Sequence, residues 1–98
     1  MNMQALMRQA QMMQKEITQA QKTINETEFV GKNGVVTVKV MGTKEVKDVS
    51  IDGLEDLKDD LSMLEDMIML ALNDAFSQVD KFKESKLGKY ASMMQGIM

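Results

Sequence analysis

Apolar residues in the first quarter of the chain return at Met3, Leu6, Ala10, Met13, Ile17, Ala20 and Ile24, in alternating steps of three and four. That spacing is an a/d heptad stripe held for about three heptads, and it predicts one long helix over residues 1–26. A stripe of this kind must pack along another helix. Its methionines and alanines make the seam thin and adaptable. In the same phase Arg8, Lys15 and Lys22 all fall at position f, opposite the stripe. At 1.5 Å per residue they form a row with steps of about 10.5 Å. Gln4, Gln9, Gln11, Gln14, Gln19 and Gln21 fill much of the remaining surface.

The helical period stops at Thr27, and residues 27–52 alternate as strands. Gly31, the Asn33-Gly34 pair and Gly42 are turn signals, and Asn-Gly between β-rich runs is a hairpin cue. Strands are predicted near Thr27–Val30, Val35–Met41 and Val46–Ile51. Val36, Val38 and Val40 share one face of the second strand, and Val49 and Ile51 one face of the third. Short connections imply an antiparallel meander whose apolar face needs a cover.

A second helix is predicted over residues 60–87, with Asp59, Asp60 and Ser62 able to cap its start. Leu61, Leu64, Ile68, Ala71, Ala75, Val79 and Phe82 make one stripe, which Met67, Met69, Leu70, Leu72 and Phe76 widen to most of the circumference. A helix so apolar all round is buried on more than one side. One side can cover the sheet; the rest needs the first helix or another chain. Gly88 interrupts the pattern, leaving residues 88–98 as a short turn or loose tail. The fold class is α+β, in a single domain spanning residues 1–98.

Composition narrows the chemistry. The 98 residues include no Cys, no His and no Pro, but 12 Met. Zinc sites of the usual type, thiol chemistry and His-based acid–base catalysis are therefore excluded. The longest apolar run, Met67–Leu72, is far too short to span a bilayer. No apolar stretch follows Arg8 as a secretion signal would require, so a cytoplasmic protein is expected.

The formal net charge is −3, and its distribution is uneven. Residues 1–24 carry Arg8, Lys15 and Lys22 against Glu16 alone, a net +2. Residues 45–66 hold nine acids against Lys47 and Lys58, a net −7. Residues 81–98 carry Lys81, Lys83, Lys86 and Lys89 against Glu84, a net +3. Both ends are basic and the middle is acidic, which says more about partners than the total does.

The acidic stretch DVSIDGLEDLKD, Asp48 to Asp59, has oxygen donors spaced nearly as in an EF-hand calcium loop. Its flanks argue against that use. A strand-like EVKDVSI leads into it instead of a helix, Glu55 stands where an apolar residue is usual, and Asp59 is shorter than the bidentate Glu that closes such loops. No metal and no cofactor is expected. The carboxylate pairs Asp59/Asp60 and Glu65/Asp66 sit where helix caps belong, with no nucleophile–base set and no phosphate-cradling glycine loop. Neither an enzyme nor a small-molecule substrate is expected.

Three segments, MRQAQMMQKE near the start, VKDVSID in the third strand and MLEDMIMLALNDAF in the last helix, occur in an order and at separations that resemble the YbaB/EbfC family of bacterial nucleoid-associated DNA-binding proteins. The likeness covers nearly the whole chain. It departs from the family pattern at Gly53, where proline is common, in the short Lys32–Gly34 turn, and at the C-terminus, which lacks a Pro-Gly ending. The resemblance implies a helix–three strands–helix subunit and a tweezer-like homodimer with projecting helical arms. It also implies binding of double-stranded DNA in the nucleoid without enzymatic activity. With the charge pattern, it makes Arg8, Lys15, Lys22, Lys81, Lys83, Lys86 and Lys89 the candidate phosphate contacts. The alternative is a Met-rich helical adaptor that binds proteins and not DNA.

Overall fold

The computed structural model describes residues 2–53, 55 and 59–95, with side chains through residue 91. Helix α1 (Met3–Glu26) is followed by strands β1 (Glu28–Asn33), β2 (Val36–Met41) and β3 (Val46–Ile51) and by helix α2 (Leu61–Gln95). Asn2 caps α1: its side-chain oxygen accepts from the Gln4 N–H at 3.0 Å, satisfying a donor that no helical carbonyl can reach. Of the three candidate caps for α2, Asp60 serves, with Oδ1 accepting from the Met63 N–H at 3.0 Å.

The strands form one antiparallel sheet in the order β1-β2-β3. β1 runs three residues beyond Val30, through Gly31 and Lys32 to Asn33, and pairs Gly31 with Val38. Gly31 is thus not a turn residue. It lies under α2, and a Cβ there would run into the Ala71 carbonyl and sit 2.7 Å from the Ala75 amide nitrogen. The glycine lets a helix backbone approach a strand backbone directly. The hairpin turn itself is Gly34-Val35, with Gly34 at φ 58°.

Val36, Val38 and Val40 are fully buried, as the alternation required, and meet Ala71, Ala75 and Val79 of α2. Phe29 closes one end of this core against Phe82, edge to face at 5.4 Å. Two α2 side chains also hold the free edge of β1. Asp74 Oδ2 accepts from the Lys32 N–H at 3.1 Å, and Gln78 Nε2 donates to the Val30 carbonyl at 2.8 Å. A sheet edge presents unpaired backbone groups, and these contacts satisfy two of them.

Anchored on β1, α2 covers β1 and β2 but not β3. Val38 pairs with Val49 and Val36 with Ile51, so these side chains share a face. Val49 and Ile51 nevertheless remain 46% and 37% exposed. The cover that this apolar face needs is therefore supplied over β1 and β2 alone: the helix tied to one edge is too narrow to reach the third strand.

α2 also departs from its predicted end near Leu87, running on through Gly88 to Gln95. One interior glycine weakens a helix by only about 1 kcal/mol relative to alanine, which neighbouring turns can absorb. α1 meets the sheet at its C-terminal end, where Ile24 is fully buried and Gly42 lies against the Ile24 carbonyl. From there α1 and the last third of α2 run antiparallel away from the sheet. Tyr90 of α2 reaches Glu16 of α1. The molecule measures 71 × 22 × 13 Å, most of its length being helix.

Candidate nucleic-acid interface

The a/d stripe of α1 is buried progressively. Met3 is 72% exposed, Met13, Ile17 and Ala20 are half-buried, and Ile24 is fully buried. This sequence of burial fixes which side of α1 faces inward. Lys15 stands two residues, about 200° of helix rotation, from both Met13 and Ile17. Arg8, Lys15 and Lys22 accordingly lie on the outer side, and all three are exposed. They span fourteen residues, about 21 Å of helix. That length matches about six base-pair steps at 3.4 Å per phosphate along one strand.

Lys81, Lys83, Lys86 and Lys89 are exposed as well, but they do not form a second row. Nine residues separate Lys81 from Tyr90, so Lys81 points about 180° away from the side that meets α1. Lys83 and Lys86 fall on the line of turns joining Val79 to Tyr90 but stay exposed, between the half-buried Phe82 and Leu87. Lys86 Nζ lies 5.4 Å from the Phe82 ring centroid and Lys89 Nζ 4.9 Å from that of Tyr90. Cation–π attraction at that range holds an ammonium without neutralising it. The seven predicted cations are brought onto one projecting pair of helices, yet they occupy different sides of it.

None of the seven forms an ion pair among the described residues, where the ion pair present joins Lys44 Nζ to Asp80 Oδ1 at 2.9 Å. Lys44 carries φ 71°, a left-handed conformation uncommon outside glycine, and its ammonium also lies 5.9 Å from the Phe76 ring centroid. Sequence spacing gave no hint of this site, because the turn brings Lys44 to a helix that is remote in the chain. Tyr90 and Glu16 were equally invisible, being 74 positions apart.

Most acids of the acidic middle stretch lie away from the arm. Asp48, Asp52, Asp59, Asp60, Glu65 and Asp66 are all exposed, around the end of β3 and the start of α2. The stretch with calcium-loop spacing is entered from β3, and Gly53 turns it with φ 79°. Leu54 and Asp56–Lys58 lie outside the described residues. Among the described residues no group of three or more acidic side chains is placed to hold a metal ion.

The profile of the YbaB/EbfC DNA-binding family matches residues 1–94. A nucleoid-associated protein of Enterococcus faecalis is 43% identical over 100 residues, covering 98% of this chain and 94% of that protein. A nucleoid-associated protein of Lactococcus lactis subsp. lactis is 45% identical over 94 residues, covering 92% of this chain and 93% of its own. The fold is similar to the crystal structure of an uncharacterized protein from Helicobacter pylori. That likeness has a TM-score of 0.74 at 26% identity and covers 93% of this chain and 98% of the other.

Proposed function

The chain belongs to the YbaB/EbfC DNA-binding family, and from that premise we propose that it is a non-enzymatic, nucleoid-associated protein that binds duplex DNA as a homodimer. Contacts are chiefly to phosphates, and sequence selectivity is low. The observation that carries this reading is the outer row of Arg8, Lys15 and Lys22, exposed, unpaired among the described residues and evenly spaced along a projecting helix. Cations so placed neutralise phosphates and release condensed counterions. Base readout has little to work with: the chain holds a single arginine and no recognition-helix motif. Nucleoid residence in the cytoplasm follows from the partner, and no helix among the described residues is long and apolar enough to cross a membrane.

Self-association is supported by the apolar surface that the single chain leaves open. Val46, Val49 and Ile51 on β3 and Leu61, Met69 and Leu70 on α2 are all exposed. A chain of this size buries a modest share of its surface alone, and a second copy laid over the open side of β3 would extend the core. A dimer presents two sets of the seven candidate cations. If about half of the fourteen engage, log affinity falls with log salt at a slope of about −6.

Titration of the purified protein into a DNA duplex at several salt concentrations tests the proposal. Absence of binding at low salt, or binding insensitive to salt, would refute it. The pair Arg8→Glu with Lys15→Glu tests the site: affinity falls steeply while the dimer persists, and unchanged affinity would remove the row from the interface. A second reading, a protein-binding adaptor, draws support from the exposure of Met3, Met7 and Met12 on the outer half of α1. It requires that DNA binding be absent in the same titration.

A further inference from the structure

Among the described residues, one side-chain hydrogen bond joins the two helices that carry the cations. Between Val79 and Tyr90 no α2 side chain is fully buried, a stretch of about 16 Å along the helix. The half-buried side chains in that stretch are Phe82 and Leu87, and Phe82 packs on the sheet core against Phe29; Lys83 and Lys86 stay exposed between them. On the α1 side the facing residues are small or flexible: Leu6, Ala10 and Met13 line an open cleft with Lys89 and Tyr90. Tyr90 is the exception. Its residue is 8% exposed, and its hydroxyl donates to Glu16 Oε2 at 3.0 Å. Glu16 is also an oddity, the sole acid among residues 1–24. A carboxylate there weakens the attraction of the row for phosphate, so its presence asks for another role.

We propose that Tyr90 is a positioning residue for DNA binding. By donating to Glu16 it clasps the far end of α2 onto α1, and it thereby sets the separation between the Arg8–Lys15–Lys22 row and Lys86 and Lys89. The clasp places Lys89 directly, because that ammonium rides on the Tyr90 ring. Among the described residues no other side-chain hydrogen bond or ion pair joins the two helices. Without the clasp, the cations would meet a duplex as two independent groups. The inference rests on the DNA-binding reading given above.

Tyr90→Phe removes the hydroxyl and keeps the ring. Glu16→Ala removes the acceptor, and Glu16→Gln removes the charge but keeps an oxygen that can accept. The chain has no cysteine, so spin labels on Gln11→Cys and Glu84→Cys, both at exposed positions, report the spacing of the helices in the full-length protein. Salt-dependent DNA titrations report the number of phosphates engaged. The parent and Glu16→Gln should give one narrow distance and the same salt slope. Tyr90→Phe and Glu16→Ala should give broad distances and a slope shallower by about one to two, with each lost contact costing roughly fivefold in affinity at 0.15 M salt. Circular dichroism should be the same for all. Broad distances with an unchanged slope would make Tyr90 merely structural and overturn the proposal, as would a narrow distance in Tyr90→Phe. If the parent fails to bind DNA at any salt, the functional reading falls and takes the positioning role with it. If the parent binds and Tyr90→Phe matches it, only the positioning role falls.

Discussion

Replacing Gly31 with alanine adds one methyl group at the tightest point of the fold. The new Cβ would sit 2.7 Å from the Ala75 nitrogen and 2.8 Å from the Ala75 Cβ, and closer still to the Ala71 carbonyl. Ordinary carbon contacts lie near 3.5–4.0 Å, so α2 must retreat by about 1 Å. The obstructing atoms are backbone and a Cβ, which no rotamer change can move aside. A retreat of α2 loosens Ala71, Ala75 and Val79 on the buried valines of β2 and stretches the Asp74 and Gln78 bonds to β1. Overpacking typically costs about 1–3 kcal/mol, and a rigid obstacle belongs at the upper end. For a domain of this size, about 3 kcal/mol lowers the melting temperature by roughly 12–24 °C. Thermal melts by circular dichroism at one fixed protein concentration measure it, since association shifts the midpoint. The matched control is Gly88→Ala in α2, where the nearest atom to an added Cβ is Glu84 Cγ at 3.9 Å. That change should stabilise by up to about 1 kcal/mol, because alanine is the better helix former and nothing is displaced. Equal and small effects at the two positions would refute the close-approach account of Gly31.

Lys44 holds a left-handed backbone that glycine adopts freely. Lys44→Ala should lose the exposed ion pair and the ring contact and keep the backbone cost. Lys44→Gly should lose the same contacts and shed that cost, and so be more stable than Lys44→Ala by about 1 kcal/mol in urea unfolding; equal stabilities would show that the turn is not strained. Val49→Glu places a charge on the apolar face that the single chain leaves open. It should weaken self-association by more than about tenfold, because an unpaired charge is costly to bury, while the circular dichroism spectrum is retained. A sedimentation profile that shows an unchanged dimer on dilution would move the contact elsewhere.

The parts of the fold that were legible in the sequence are those decided locally. The heptad stripe of α1, the buried face of β2 and the presence of a cap among Asp59, Asp60 and Ser62 depend on residues a few positions apart, where period and turn chemistry act. Glycine is where local reading becomes ambiguous. Gly31, Gly34 and Gly88 look alike in sequence, yet one is a close approach, one a positive-φ turn and one an ordinary helical residue. What distinguishes them is the path of α2, a tertiary fact. Exposure of Val49 and Ile51 was hidden for the same reason. Alternation marks a strand face that wants cover, but not which element supplies it or how far that element reaches. For the candidate site, the α1 cations could be read from sequence as one row, since f positions in a held heptad share a side. It could not place the α2 lysines, whose phase became clear only once Val79 and Tyr90 marked the inward line.

A protein of net charge −3 makes an unpromising ligand for DNA if charge is averaged over the molecule, and the geometry shows why averaging misleads. Asp60 and Tyr90 are separated by thirty residues of α2, about 45 Å at 1.5 Å per residue. At physiological ionic strength the Debye length is about 8 Å. Even Asp66, the last acid of the acidic stretch, stands fifteen residues, about 22 Å, from Lys81, nearly three screening lengths, and it contributes little to the potential that an approaching phosphate feels at the outer turns. What counts is the local balance: the outer row of α1 has no partner among the described residues, and the acid nearest to it along the helix, Glu16, is turned to Tyr90. The same screening limits what the acids can do. They repel a duplex only where it comes within about 10 Å of them. On the proposed reading, contact is thereby confined to the helical arm, and the apolar side of β3 is left for self-association.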